Sequence, residues 1–442
     1  MVTGGRRFTC CLPVLCVRKT KSRKLARSVA NDQWLERRPE QIGRDGTSLF
    51  FPQYNIVINN IMRENVVPSF YWFRGVASIL VVAFHAYLYW ATSGDQSELG
   101  ANEKVDLVNQ SIALKLLSFA NLSVDGFIVL SGYLAGRSFL ASPCRFSLEE
   151  YLAKKVRRIL VPYWLTLLAI LAVLGVVGTN PSDPFFGYCP RTIVLSPFLL
   201  NNFIGFGGCG VHLWSVAVQM HLFVMFGLAC KAVTAWGSRY RGFPCPGRLG
   251  DDITDPATVR RPMAAFTAAA LVVAVIVRVA LAVHLGIRFP PPPFDHPGMN
   301  PVARDTAMRY YHVLYFATPS RATNFLSGVL LSLLISSSRP WSARASRTMV
   351  LVAASVTCSY LGLLASVDYR GDDWGPWYGA LVFHGSPVAS TVMALILASA
   401  IVAPPRCCPS GPGGTFIRWL SDQSYLIYLS HPLLMRLLWI DE

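Results

Sequence analysis

The chain has 442 residues, of which 53% are hydrophobic and only 14% charged, with a formal net charge of +16. A soluble domain carries about 25% charged residues, so the composition excludes an ordinary soluble fold and points to an all-α, polytopic transmembrane helical bundle. The basic residues are scattered over separate segments, which argues against a nucleic-acid partner, and the cysteines form neither a CxxC pair nor a metal spacing with histidine, so no metal is expected.

Residues 1–69 hold Arg6, Arg7, Arg18, Lys19, Lys21, Arg23, Lys24 and Arg27 before any acidic residue. They read as a basic, disordered cytosolic arm lying near anionic membrane lipid. An organelle-targeting peptide, equally Arg-rich and acid-poor, is the alternative.

The transmembrane domain is expected over 70–442. Its first apolar run, 70–90, contains Arg74 and His85. Eleven residues make about three helical turns, so the two side chains share a face and lie about 16 Å apart along the axis. Ionisable groups in hydrocarbon are costly unless they face a polar interior, which makes both candidates for function. The bland alternative is one snorkelling arginine and one hydrogen-bonded interhelical histidine.

Further apolar runs at 114–135, 159–178, 212–232, 263–285, 319–336, 348–366, 384–403 and 422–440 bring the expected spans to nine, or ten if a last helix follows. Alternate connecting segments are basic, which places the N-terminus in the cytosol by the positive-inside rule. The apolar stretch 192–207 contains Pro197, Asn201 and Asn202 and suits a re-entrant or surface segment. Cys189 and Cys209 then share one extracytosolic loop, which leaves a disulfide open, while Cys10, Cys11, Cys407 and Cys408 fall on the reducing side. Asn109-Gln110-Ser111 is a glycosylation sequon close to the second span.

In the second run, Asp125 needs a cationic partner, and Arg74 or His85 would serve. The adjacent Ser131-Gly132 pair lets a helix or a ligand approach closely. Lys154, Lys155, Arg157 and Arg158 precede Pro162 at the third span, where they anchor the membrane edge or hold phosphates. His212, Ser215 and Gln219 share one helical face by their spacing, as do Ser424, Tyr428 and His431.

Six motifs occur in a telling order: Arg74-ten residues-His85, Val124-Asp-Gly-Phe-Ile-Val-Leu-Ser-Gly132, Lys155-Val-Arg-Arg158-Ile-Leu-Val-Pro162, His212-Leu-Trp-Ser-Val-Ala-Val-Gln219, Arg321-Ala-Thr-Asn-Phe-Leu-Ser-Gly328 and Ser424-Tyr-Leu-Ile-Tyr-Leu-Ser-His431. Over residues 70–440 the chain resembles the acyltransferase-3 family of integral membrane acyltransferases, whose eukaryotic branch includes proteins of the nose-resistant-to-fluoxetine type. The resemblance implies transfer of an acyl group, acetyl first among them, from a cytosolic acyl-CoA to a hydroxyl of a carbohydrate, lipid or small molecule. Acyl-CoA is then a substrate, and no permanently bound cofactor is implied.

On this reading His85 is the catalytic base or a covalent acyl carrier, and Arg74 and Asp125 orient it. Lys155, Arg157, Arg158 and Arg321 bind the donor, and His212, Ser215, Gln219, Ser424, Tyr428 and His431 line the acceptor cavity. The chain departs from the family at Gln219, where a glutamate is usual, at Lys155, where an arginine is usual, and in ending before the further span found in bacterial members. A proton-coupled transporter and an inactive membrane scaffold are the alternatives.

Overall fold

The computed structural model describes residues 51–92, 101–141, 143, 146–178, 186, 189–204, 209–240, 256–287, 309–335, 341–367, 385–403 and 412–438. The chain divides into two units, Met1–Asn60 and Ile61–Glu442, and the features below lie in the second. Most of the expected arm, together with Cys10, Cys11, Cys407 and Cys408, lies outside the described residues.

The described residues form helices and no strand. In chain order they are α1 (Phe51–Thr92), α2 (Ala101–Gln110), α3 (Ile112–Ser118), α4 (Leu122–Ala141), α5 (Leu148–Lys155), α6 (Val161–Val177), α7 (Cys189–Thr192), α8 (Asn201–Ile204), α9 (Trp214–Tyr240), α10 (Pro256–His284), α11 (Thr318–Ile335), α12 (Ala343–Ala365), α13 (Pro387–Val402) and α14 (Pro412–Leu438). Residues 51–69, read from the sequence as part of the arm, lie within α1.

Local chemistry sets several of the helix starts. The side chains of Ser111, Ser147, Ser342 and Ser386 accept the N–H of Leu114, Glu150, Ala345 and Ala389, which satisfies first-turn donors that a helix leaves open. Pro387 follows the Ser386 cap, where its missing N–H costs nothing.

Five helices, Phe70–Ala91, Leu148–Val176, Val211–Ala235, Val259–His284 and Ala343–Ala365, are long and apolar enough to cross a bilayer. The pair Ile112–Ser118 and Leu122–Ala141, bent by 43°, makes a sixth if it is one broken span. The other three expected spans are also helical. Pro387–Val402 has only 16 residues, while α11 and α14 carry buried polar groups that dilute their apolarity.

The tightest crossing joins α4 to α11. A Cβ on Gly132 would collide with the carbonyl of Phe325, and one on Gly328 with the carbonyl of Val129, so each glycine admits the other helix's backbone. This is the small-residue contact by which helices associate in lipid, where water cannot drive burial.

The apolar stretch after α6 does not form a long helix. It breaks into α7, a 3₁₀ turn at Ile193–Phe198 and α8, and a Cys189–Cys209 disulfide closes it. Tyr163 donates to the carbonyl of Ser196 at 2.7 Å, and Asn201 to that of Cys209 at 3.1 Å, which satisfies backbone that no regular helix covers.

Candidate active site

The first and last helices run side by side in the same direction. Arg74 on α1 donates to Ser424 Oγ on α14 at 2.8 Å, and further along both helices His85 meets His431, Nδ1 to Nε2, at 2.8 Å. His212, on the 3₁₀ turn Val211–Leu213 that leads into α9, completes a three-histidine group, with its ring 5.6 Å from that of His431. All three rings are buried. Among the described residues no group of His, Cys, Asp or Glu is arranged to hold a metal.

Hydrogen-bond directions fix the tautomers of the central pair. The Nδ1 of His431 lies 3.0 Å from the carbonyl oxygen of Ile427. A carbonyl only accepts, so this nitrogen carries the proton, and in a neutral ring Nε2 is then the acceptor. Its partner, His85 Nδ1, must be the donor, and that same N–H also faces the carbonyl of Val81 at 3.0 Å. The lone pair of His85 therefore sits on Nε2.

The same accounting explains the residues around the pair. Tyr428 has one O–H, which it donates to the backbone carbonyl of His212. Ser215, 2.7 Å from the Tyr428 oxygen, is then a donor to it. His212 Nε2 donates to the carbonyl of Leu429 at 3.0 Å. His212, on the turn before α9, and Ser215, on α9, thus grip α14 at Tyr428 and Leu429. Gln219, one turn further on, is 3.4 Å from Ser131 Oγ and faces α4.

Asp125 has a different partner from those expected. It is ion-paired to Arg321, not to Arg74 or His85, and it also accepts the N–H of Gly385 at 2.8 Å. Both ionised side chains are 1% exposed. Arg321 further donates to the carbonyl of Tyr315 at 2.6 Å and lies over the rings of Trp214 and Tyr315, at 4.8 and 4.5 Å. Its charge is engaged inside the bundle by Asp125 and the Tyr315 carbonyl, and Asp125 is partnered by Arg321 and Gly385 in place of the expected Arg74 or His85.

Arg278 was missed by the sequence reading. It lies fully buried on α10 and donates to the carbonyls of Leu314 and Ser320 at 2.9 and 3.4 Å. The signal was available, because an arginine in the middle of an apolar run is as costly there as at position 74. Trp214 and Gly385 carried no comparable signal.

The basic cluster sits at another level. Lys155 is held over the rings of Phe223 and Tyr151, at 4.1 and 5.3 Å. Phe223 is eleven residues beyond His212, a rise of about 16 Å. A π-helical turn at Val156–Leu160 follows Lys155 and turns Arg157 and Arg158 outward, both exposed. Such turns often mark functional positions in helices. Tyr425 on α14 donates to the Ile159 carbonyl at 2.8 Å and ties this turn to the last helix.

Residues 67–440, the greater part of the chain, match the model of one protein family, described as an acyltransferase domain. No curated protein and no solved structure matches the chain.

Proposed function

Because the chain belongs to the acyltransferase-3 family, we propose that it is a membrane enzyme that transfers an acyl group, acetyl first among them, from cytosolic acyl-CoA to a hydroxyl of a carbohydrate, lipid or small molecule. The observation that carries the mechanism is the tautomer of His85, whose Nδ1–H is engaged by His431 and Val81 and whose Nε2 therefore holds the lone pair. A neutral imidazole held in this way is a general base. Nε2 takes the proton of the acceptor hydroxyl as its oxygen attacks the thioester carbonyl. The carbon–sulfur bond then breaks, and the departing CoA thiolate recovers that proton from Nε2.

The donor's phosphates would rest on Arg157 and Arg158, with Lys155 beside them. The extended pantetheine arm would bridge the distance from that level to the histidines, passing Arg74 and Ser424. The Cys189–Cys209 disulfide supports an oxidising, extracytosolic setting for the loop before His212. The basic cluster then faces the cytosol, where acyl-CoA is found, and the N-terminus lies on that side too.

The deciding measurement uses the purified full chain in lipid nanodiscs, acetyl-CoA, and a panel of hydroxyl acceptors. Acceptor-dependent release of CoA thiol, together with the acylated acceptor, is expected. Binding of acetyl-CoA with no thiol release across the panel would overturn this reading in favour of transport or a scaffold.

A further inference from the structure

Among the described residues, His85 Nδ1–H faces two acceptors that differ in kind. The Val81 carbonyl can accept a hydrogen bond but cannot hold the proton, whereas His431 Nε2, at 2.8 Å, can do both. We propose that His431 is a positioning residue that takes over the Nδ1 proton of His85 when the acceptor is deprotonated, so that the positive charge comes to rest on His431. The proposal rests on the reading of His85 as the base.

The protons balance. His85 gains the hydroxyl proton at Nε2 and passes its Nδ1 proton to Nε2 of His431. His85 is then neutral in the opposite tautomer, and its Nδ1 accepts from His431. His431 holds two protons, one facing His85 and the other on the carbonyl of Ile427. When the CoA thiolate takes the Nε2 proton of His85, His431 returns the other proton to Nδ1.

The Ile427 carbonyl, 3.0 Å from His431 Nδ1, faces the ring that would carry the charge, and Pro432, which has no N–H, leaves the carbonyl of Tyr428, four residues back, without its helical donor. Among the described residues, the titratable groups packed around the pair are His212, from the turn before α9, and Tyr428, on α14 itself. An imidazole here stands where a carboxylate stands behind the histidine of a catalytic triad; unlike that carboxylate, which orients the ring and stays unprotonated, it takes the proton, and it places no permanent anion in the bilayer.

The test combines nitrogen-15 NMR of histidine-labelled full chain in nanodiscs with kinetics of His431→Gln. Glutamine can accept the hydrogen bond through its side-chain carbonyl but cannot take the proton. At neutral pH the wild type should show His85 protonated at Nδ1, with a scalar coupling across the hydrogen bond to His431 Nε2. On acidification the first proton bound by the pair should leave His431 doubly protonated and His85 protonated at Nε2. His431→Gln should keep the His85 tautomer and the acyl-CoA KM, with kcat lower by about 10- to 100-fold, below the full contribution of a general base. Wild-type kcat in His431→Gln, an Nε2–H tautomer in the resting wild type, or a first charge residing on His85 would each overturn the proposal. The titration decides it even for a protein that shows no turnover, so its failure is distinct from that of the acyltransferase reading.

Discussion

Two buried polar centres in this bundle solve the cost of polarity in opposite ways. At Asp125 the charges are permanent. The carboxylate is ion-paired to Arg321 and bonded to the Gly385 N–H, while Arg321 is stacked on two rings and bonded to the Tyr315 carbonyl. At His85 the groups form a chain of imidazoles, hydroxyls and carbonyls in which protons can change places. The first centre joins α4, α11 and the start of α13, and is too fully engaged to take a substrate. The second joins α1, α9 and α14 through groups whose protonation can change, which is what acid–base chemistry needs.

The contrast is sharpest for single substitutions. His85→Gln should lower kcat by about 10²- to 10⁴-fold, the usual contribution of a general base, with the melting temperature in detergent nearly unchanged. Loss of folded protein in step with activity would erase the distinction between the centres. Asp125→Ala should do the reverse. Removing one partner of a buried ion pair costs about 3–5 kcal/mol, so thermal unfolding should shift strongly downward while the protein that remains folded keeps most of its turnover. Asp125→Leu combined with Arg321→Leu should cost less than the two single changes added together, because no uncompensated charge is left.

The two centres also differ in how far the sequence reveals them. Arg74, His85 and Asp125 stand out because ionisable residues are rare in apolar runs, and the same rule reaches Arg278 once it is applied to every run. The nine apolar segments are all legible as helical, although one of them is short and two carry buried polar groups. The partners are not legible in the same way. Asp125 and Arg321 are 196 residues apart, and Asp125's other bond comes from the backbone N–H of Gly385, which no side-chain pattern encodes. Helix periodicity gives the face of a residue but not the neighbour that face meets, so Arg74 and Arg321 were equally eligible to pair with Asp125. The spacing that groups Ser424, Tyr428 and His431 is visible, but the contact of His431 with His85 depends on α1 and α14 lying in parallel.

A smaller effect separates the basic cluster from both centres. Arg158 is exposed, whereas Lys155 rests on Phe223 and Tyr151. If Arg158 holds a donor phosphate, Arg158→Gln should raise the KM for acyl-CoA by the loss of one charge-assisted contact, about 1.5–3 kcal/mol, and leave the acceptor KM unchanged. Lys155→Met should show a smaller rise in KM and a modest loss of stability, since a cation over an aromatic ring contributes about 0.5–2 kcal/mol. An unchanged acyl-CoA KM in both variants would mean that the cluster acts only as a membrane anchor. Orientation must be verified in each variant, because the same charges bias topology.

The smallest expected effect tests whether the grip of α9 on α14 serves the histidine pair. Tyr428→Phe removes the O–H that reaches the His212 carbonyl and leaves Ser215 without its acceptor, while the aromatic volume stays. A buried hydrogen bond contributes about 1 kcal/mol net, so stability should fall by that order and the fold should survive. If the grip merely holds two helices together, Ser215→Ala and Tyr428→Phe should lower stability and leave kcat unchanged. If it sets the distance between His431 and His85, both variants should lower kcat several-fold at constant acyl-CoA KM. Adding either one to His85→Gln should then cost no further activity, because the base they position is already gone. Independent, multiplying losses in the double variant would detach the grip from the chemistry and leave His212, Ser215 and Tyr428 as packing residues between two helices.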